Sequence, residues 1–300
     1  MNLYQKIHPS IQISTLKRRS FLYGLCSLPF LTPRSILSAA RSDESFGGLP
    51  MGIHGASLER FSNEEILRIV VEDFGLSELE LTPSQIRFRD YGNGRYAGPA
   101  ASMDDVKALR KLMDSAGVRA TAYGLLPFPD SADENRKMFE FASELDVRNL
   151  TCIPQLDSLD GLELLADEFN IRLAIHNNGP GDVLTDISEV IGAFEGRGDN
   201  VGACLDIGHA LRNFQDPALA LKQIGKKTFG IHLKDVSGRG ADSDVIGLGD
   251  GLLDTESMFE ALRTVELPDD IALSLEYLIN TDNPQPGMLK SLALAEAELS

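Results

Sequence analysis

The chain has 300 residues, 43% of them apolar, and a net charge of −17. That is enough apolar content for one large folded domain and too much for a disordered polymer. Residues 1–40 hold Lys6, Lys17, Arg18, Arg19 and Arg34 and no acid, so residues 41–300 carry −22, a surface that repels phosphate backbones and argues against a nucleic-acid partner.

Residues 1–40 read as a targeting segment. Arg18-Arg19-Ser20-Phe21-Leu22 has the form of a twin-arginine export signal. A moderately apolar stretch runs on to Leu37, and Ser38-Ala39-Ala40 offers small residues for cleavage. The stretch contains Pro29, Pro33 and Arg34 and is too short for a stable membrane span. The expected location is periplasmic. Residues 41–50 form a linker. Of the three cysteines, Cys26 lies in the leader, while Cys152 and Cys204 sit in apolar runs and are expected to be buried free thiols.

From residue 51 the chain alternates between strand-like and helix-like segments. Strands are predicted over Met51–Ala56, Glu78–Leu81, Val118–Tyr123, Val147–Ile153, Arg172–His176, Val201–Asp206, Thr228–Leu233 and Ile271–Glu276. Ser62-Asn63-Glu64-Glu65 and Ser102-Met103-Asp104-Asp105 are helix starts, each with a cap and acids in the first turn. Gly75 and Gly117 read as helix ends, and Asp216-Pro217 places Pro at a first helical position. Strands that alternate with helices pair in parallel through right-handed crossovers. The expected fold is therefore α/β, a single-domain (β/α)8 barrel over residues 51–300. An open doubly wound sheet would carry a Gly-rich phosphate loop after its first strand, and none is present.

In such a barrel, chemistry lies at the C-terminal ends of the strands. Four successive strands end in metal-competent side chains: His176, Asp206, His232 and Glu276. Two histidines and two carboxylates suit one divalent ion among Mn, Fe, Co, Zn and Mg. His209 and Lys234 stand beside them, His209 as a substrate contact or proton shuttle and Lys234 to hold an anionic oxygen. The catalytic candidates are Glu276, His209 and Lys234. The substrate-binding candidates are His54, Tyr123, Asn178, His209 and Lys234, and the partner is a small carbohydrate. Ser57 lies near the first strand end, Asn177 suits sugar hydroxyls, and Glu80 either stabilises the barrel interior or touches substrate, the structural role being favoured. Gly247-Leu248-Gly249-Asp250-Gly251 does not open a helix directly after a strand and reads as a mobile loop able to cover the site. There is no Gly-x-Ser-x-Gly elbow, which leaves a Ser-His-Asp hydrolase without support.

Leu205-Asp206-Ile207-Gly208-His209, His232-Leu233-Lys234-Asp235, the Gly247–Gly251 loop and Ser274-Leu275-Glu276-Tyr277 resemble the xylose-isomerase-like TIM-barrel superfamily of sugar isomerases, epimerases and metal-dependent AP endonucleases. Gly52-Ile53-His54, Ser57-Leu58-Glu59-Arg60-Phe61 and Ala174–Pro180 are similar to an exported branch labelled sugar phosphate isomerase/epimerase. The resemblance implies a divalent metal on His176, Asp206, His232 and Glu276, with His209 on the substrate. Ketose epimerases of this superfamily carry Glu at the strand-5 metal position, where it works with the strand-8 Glu as an acid/base pair. Here that position is His176, so one of the two proton-moving carboxylates is missing. The expected function is sugar isomerisation or epimerisation by removal of a proton next to a carbonyl. The alternatives are a 3-keto-glycoside lyase or hydratase and a non-catalytic sugar-binding barrel. The acidic balance weighs against phosphodiester cleavage.

Overall fold

The computed structural model describes residue 41 and residues 43–83, 102–128 and 130–300. The leader expected over residues 1–40 lies outside them. Eight strands pair in parallel. They are β1 (Met51–His54), β2 (Glu78–Leu81), β3 (Arg119–Leu126), β4 (Asn149–Cys152), β5 (Arg172–His176), β6 (Val201–Asp206), β7 (Thr228–Leu233) and β10 (Ala272–Leu275). They close into a barrel in the order β1-β10-β7-β6-β5-β4-β3-β2. A short antiparallel hairpin, β8 (Asp235–Val236) with β9 (Val245–Ile246), is inserted after β7.

Around the barrel run α1 (Asn63–Arg68), α2 (Met103–Ala116), α3 (Ala132–Glu144), α4 (Leu159–Phe169), α5 (Ile187–Phe194), α6 (Ile207–Arg212), α7 (Pro217–Ile224), α8 (Thr255–Thr264) and α9 (Gln285–Leu299). Among the described residues no helix is long and apolar enough to cross a membrane.

The barrel strands are buried almost throughout, because helices cover the outer face and side chains fill the inner one. That is why they read as short apolar runs. The helix ends follow local chemistry. Ser62 accepts from the Glu65 amide, and the Glu65 side chain returns a bond to the Ser62 amide, closing a capping box. Ser102 caps α2 in the same way, through the Asp105 amide. Gly117 ends α2 at φ +68°, a conformation that costs glycine little. Within α2, Val106, Leu109 and Met113 are buried, the helical spacing of a core-facing stripe.

The strand bounds of β2, β5, β6 and β7 coincide with the sequence reading. β1 stops at His54 because Gly55–Leu58 turns into a 3-10 helix. β3 runs further than expected, and its pairing shifts register against both β2 and β4. Cys152 and Cys204 are buried free thiols, and burial pushes both upward in pKa. On the inner side of β5 and β6, Ala174 and Cys204 lie two residues before His176 and Asp206 on the same face, and with Phe229 they form a small apolar cluster.

Candidate metal centre

The parallel register sets the site. Asp206 on β6 lies opposite His232 on β7, and His232 lies opposite Ser274 on β10. His176 ends β5, and Glu276 follows β10, its amide bonded to the Leu233 carbonyl at 3.0 Å. The His176 Nε2 to His232 Nδ1 distance is 3.2 Å. Asp206 Oδ2 stands 3.6 Å from His176 Nε2 and 3.7 Å from His232 Nδ1. Glu276 Oε2 is 3.6 Å from the same His232 nitrogen. Ligands bound at about 2.0–2.2 Å around a single ion stand roughly 3–3.5 Å apart. His176, Asp206 and His232 offer donor atoms that all lie within 4.8 Å of one another, Glu276 approaches the same His232 nitrogen, and nitrogen with carboxylate oxygen suits a divalent cation in chemistry.

Lys234 lies between the two carboxylates of this set. Its Nζ is 2.7 Å from Asp206 Oδ2 and 2.8 Å from Glu276 Oε2. Gly208 makes the approach possible, because a Cβ there would come within 2.9 Å of the Lys234 side chain. Burial works against the charges, but the pairing outweighs it. Lys234 is raised by Asp206 and Glu276, and those two carboxyls are lowered by Lys234 and by neighbouring histidines. Burial likewise opposes a proton on His232, yet Cys204, Glu80 and a hydrogen bond with Asp206 raise it well above the ordinary range. The cluster is built to hold positive charge.

His209 follows Asp206 by one helical turn, and its amide donates to Asp206 Oδ1 at 2.7 Å. Burial brings the His209 imidazole down to about 3, against the pull of Asp206, so the ring is neutral at neutral pH. His54 packs edge-on against His232 with centroids 4.5 Å apart and is also lowered by burial. His54, His232 and Glu276 offer ligand atoms within 4.8 Å of one another. The Nδ1 atoms of His54 and His209 are buried without a hydrogen-bond partner among the described residues.

The remaining sequence candidates divide. Asn178 does not present a free amide to the mouth. Its Oδ1 lies 3.3 Å from His176 Nδ1, and its Nδ2 donates to the Val183 carbonyl at 2.8 Å. Asn177 is held by a reciprocal pair with the Asp206 backbone at 2.7 and 2.9 Å. Tyr123 is turned towards the helix layer, its ring 5.4 Å from Phe141 of α3, because the shifted register of β3 rotates it out of line with the other strand ends. Ser57 is structural, accepting from the Tyr277 amide at 2.9 Å.

The loop read as mobile is tethered. Asp235 accepts from the amides of Gly249, Gly251 and Leu253 at 2.9–3.1 Å. The Leu248 amide bonds Ser291, and Lys290 pairs with Asp250. Asp235 is thus spent on the loop and is not a partner of Lys234.

Sequence reasoning gave Glu80 no precise function. Its carboxylate accepts from Thr151 Oγ1 and Ser274 Oγ, each at 2.7 Å, and faces His232 Nε2 at 3.2 Å. Burial would raise it, but His232 holds it well below the usual carboxylate range.

The family described as xylose isomerase-like TIM barrel matches residues 71–297. Among solved structures, a protein from Parabacteroides distasonis ATCC 8503 is 24% identical over 82% of this chain and 98% of its own, with a TM-score of 0.62. The IolI protein, solved with a bound zinc atom, is 16% identical over 84% of this chain and 98% of its own, with a TM-score of 0.68. The 3-keto-D-glucoside 4-epimerase YcjR from E. coli is 14% identical over 83% of this chain and 99% of its own, with a TM-score of 0.62. No curated protein matches the chain.

Proposed function

The chain belongs to the xylose isomerase-like TIM-barrel family, and from that premise we propose that it is a divalent-metal-dependent enzyme that removes a proton next to a carbohydrate carbonyl, in the manner of a sugar isomerase or epimerase. The observation that carries the reading is the close set of His176, Asp206 and His232, with Glu276 against the same His232 nitrogen and Lys234 across the two carboxylates. The zinc in IolI and the keto-sugar chemistry named for YcjR support it. A cation held by those four residues supplies Lewis acidity, which makes a neighbouring C–H easier to deprotonate.

The chain's own groups do the rest. Glu276 is 8% exposed, whereas Asp206 and Glu80 are fully buried, so Glu276 takes the proton. Lys234 donates a hydrogen bond to the oxygen on which negative charge develops. His209, its side chain 22% exposed, meets substrate hydroxyls, and His54 stands against His232. Asn178 acts behind His176 and not on the sugar. Return of the proton to the adjacent carbon gives isomerisation, and return to the same carbon from the other face gives epimerisation.

One observation favours a second reading, elimination or hydration on a 3-keto-glycoside. Among the described residues only one carboxylate of the cluster, Glu276, has any exposure. Epimerisation needs proton-moving groups on two faces, whereas elimination uses one group to take a proton and deliver it to a departing hydroxyl or alkoxide. The test is proton exchange of candidate keto-sugars in deuterated water, with product analysis. Exchange in the metal-loaded wild type is expected, with loss of both bound metal and exchange in Asp206→Ala. Full activity in protein free of metal by elemental analysis contradicts the proposal.

A further inference from the structure

Glu80 is fully buried on β2 and has no part in the chemistry proposed above. An isolated buried carboxylate is costly, yet here three strands supply donors to one. Thr151 on β4 donates to Oε1 and Ser274 on β10 donates to Oε2, each at 2.7 Å, while His232 Nε2 on β7 lies 3.2 Å from both oxygens. The two hydroxyls fix the carboxylate's orientation, and the carboxylate then faces one nitrogen of His232. The other nitrogen, Nδ1, faces His176, Asp206 and Glu276. An ionised carboxylate only accepts hydrogen bonds. When a metal takes the place of the Nδ1 proton, the proton left on His232 sits on Nε2, where this acceptor holds it.

We infer that Glu80 is a positioning residue of the metal centre, fixing His232 as the Nε2–H tautomer, with Thr151 and Ser274 fixing Glu80 in turn. The inference rests on the metal-centre reading and adds a residue which that reading does not require. Charge supports it independently. Asp206, Glu276 and Glu80 with the single ammonium of Lys234 leave two net negative charges, which a dication balances. Without Glu80, the loaded and buried cluster would be left with a net positive charge, which is expensive away from water. His176 gives the contrast, since its outer nitrogen faces the neutral amide oxygen of Asn178, which sets a tautomer without adding charge.

The test compares wild type, E80Q and S274A, stripped of metal by a chelator and titrated with zinc alone by calorimetry. Nitrogen NMR of the histidine rings is recorded beforehand on the metal-free proteins, at a pH at which His232 is neutral. E80Q keeps the shape of the side chain and is expected to bind zinc about 10–100-fold more weakly. Its His232 Nε2–H signal, single in wild type, should be lost or divided between tautomers, while the circular dichroism spectrum stays native. S274A removes one of the two hydroxyl supports and is expected to lose affinity by a smaller factor. It carries the test if E80Q does not fold. A purely structural role would lower the unfolding midpoint and leave zinc affinity and tautomer unchanged. That result in the folded variants overturns the inference while the metal centre stands. A wild type that binds zinc no better than Asp206→Ala overturns the metal-centre reading, and the inference with it.

Discussion

Lys234 touches both carboxylates of the candidate metal set, at 2.7 and 2.8 Å. It is therefore at once a competitor for their negative charge and, in the proposed reaction, the donor to the developing oxyanion. The two roles separate in Lys234→Met, which keeps the apolar stem and removes the ammonium. The variant is expected to lose about 10²–10³-fold in kcat, the usual consequence of deleting a donor to a developing oxyanion. Its zinc affinity should hold or rise, because Asp206 and Glu276 are released to the ion. Steady-state kinetics and calorimetry read the two effects, and a parallel fall in zinc affinity would contradict the assignment. At this scale the sequence showed residue types and little about direction. His176, Asp206, His232 and Glu276 were legible because each ends a strand whose neighbours also end in ligands. Tyr123 also ends an expected strand, but whether it faces inward depends on register shifts in β3 that leave no mark in the residue pattern. Asn178 has the right chemistry for a sugar, yet its amide is consumed by His176 and Val183. Glu80 stayed indistinct because its partners Thr151, His232 and Ser274 are 71, 152 and 194 residues away.

Among the elements, the connection after β7 departs most from its sequence reading. Ser237–Asp244 is polar, and β8 and β9 are two residues each, too short to leave an alternating pattern. The glycines of the following loop suggest mobility, but the Asp235 carboxylate gathers its backbone amides. Asp235 is fully buried, so removing it strands the buried amides of Val236 and Leu253 and releases those of Gly249 and Gly251. Asp235→Ala is expected to cost about 2–4 kcal/mol of stability in equilibrium urea unfolding. A loss below about 1 kcal/mol would show that the loop does not depend on this carboxylate. Helix starts were more legible than loops, because caps such as Ser62 and Ser102 act within one turn of their own sequence position.

At the scale of the whole molecule, parallel closure places every βα connection of the barrel at one end. Side chains separated by up to 222 residues in the chain, His54 and Glu276 among them, share that end through β1 and β10. The rest of the barrel supplies rigidity: helices cover its outer face, and the Ala174, Cys204 and Phe229 cluster fills part of the inner side. Residues 41–300 carry −22, so the field of the whole protein favours cations. The central claim is that one divalent cation binds where β5, β6, β7 and β10 end. Anomalous scattering from zinc-soaked crystals tests it most directly. The account predicts a single strong peak within bonding distance of His176 Nε2, Asp206 Oδ2, His232 Nδ1 and Glu276 Oε2, absent from Asp206→Ala. No peak there in the wild type, or an unchanged peak in the variant, would contradict it.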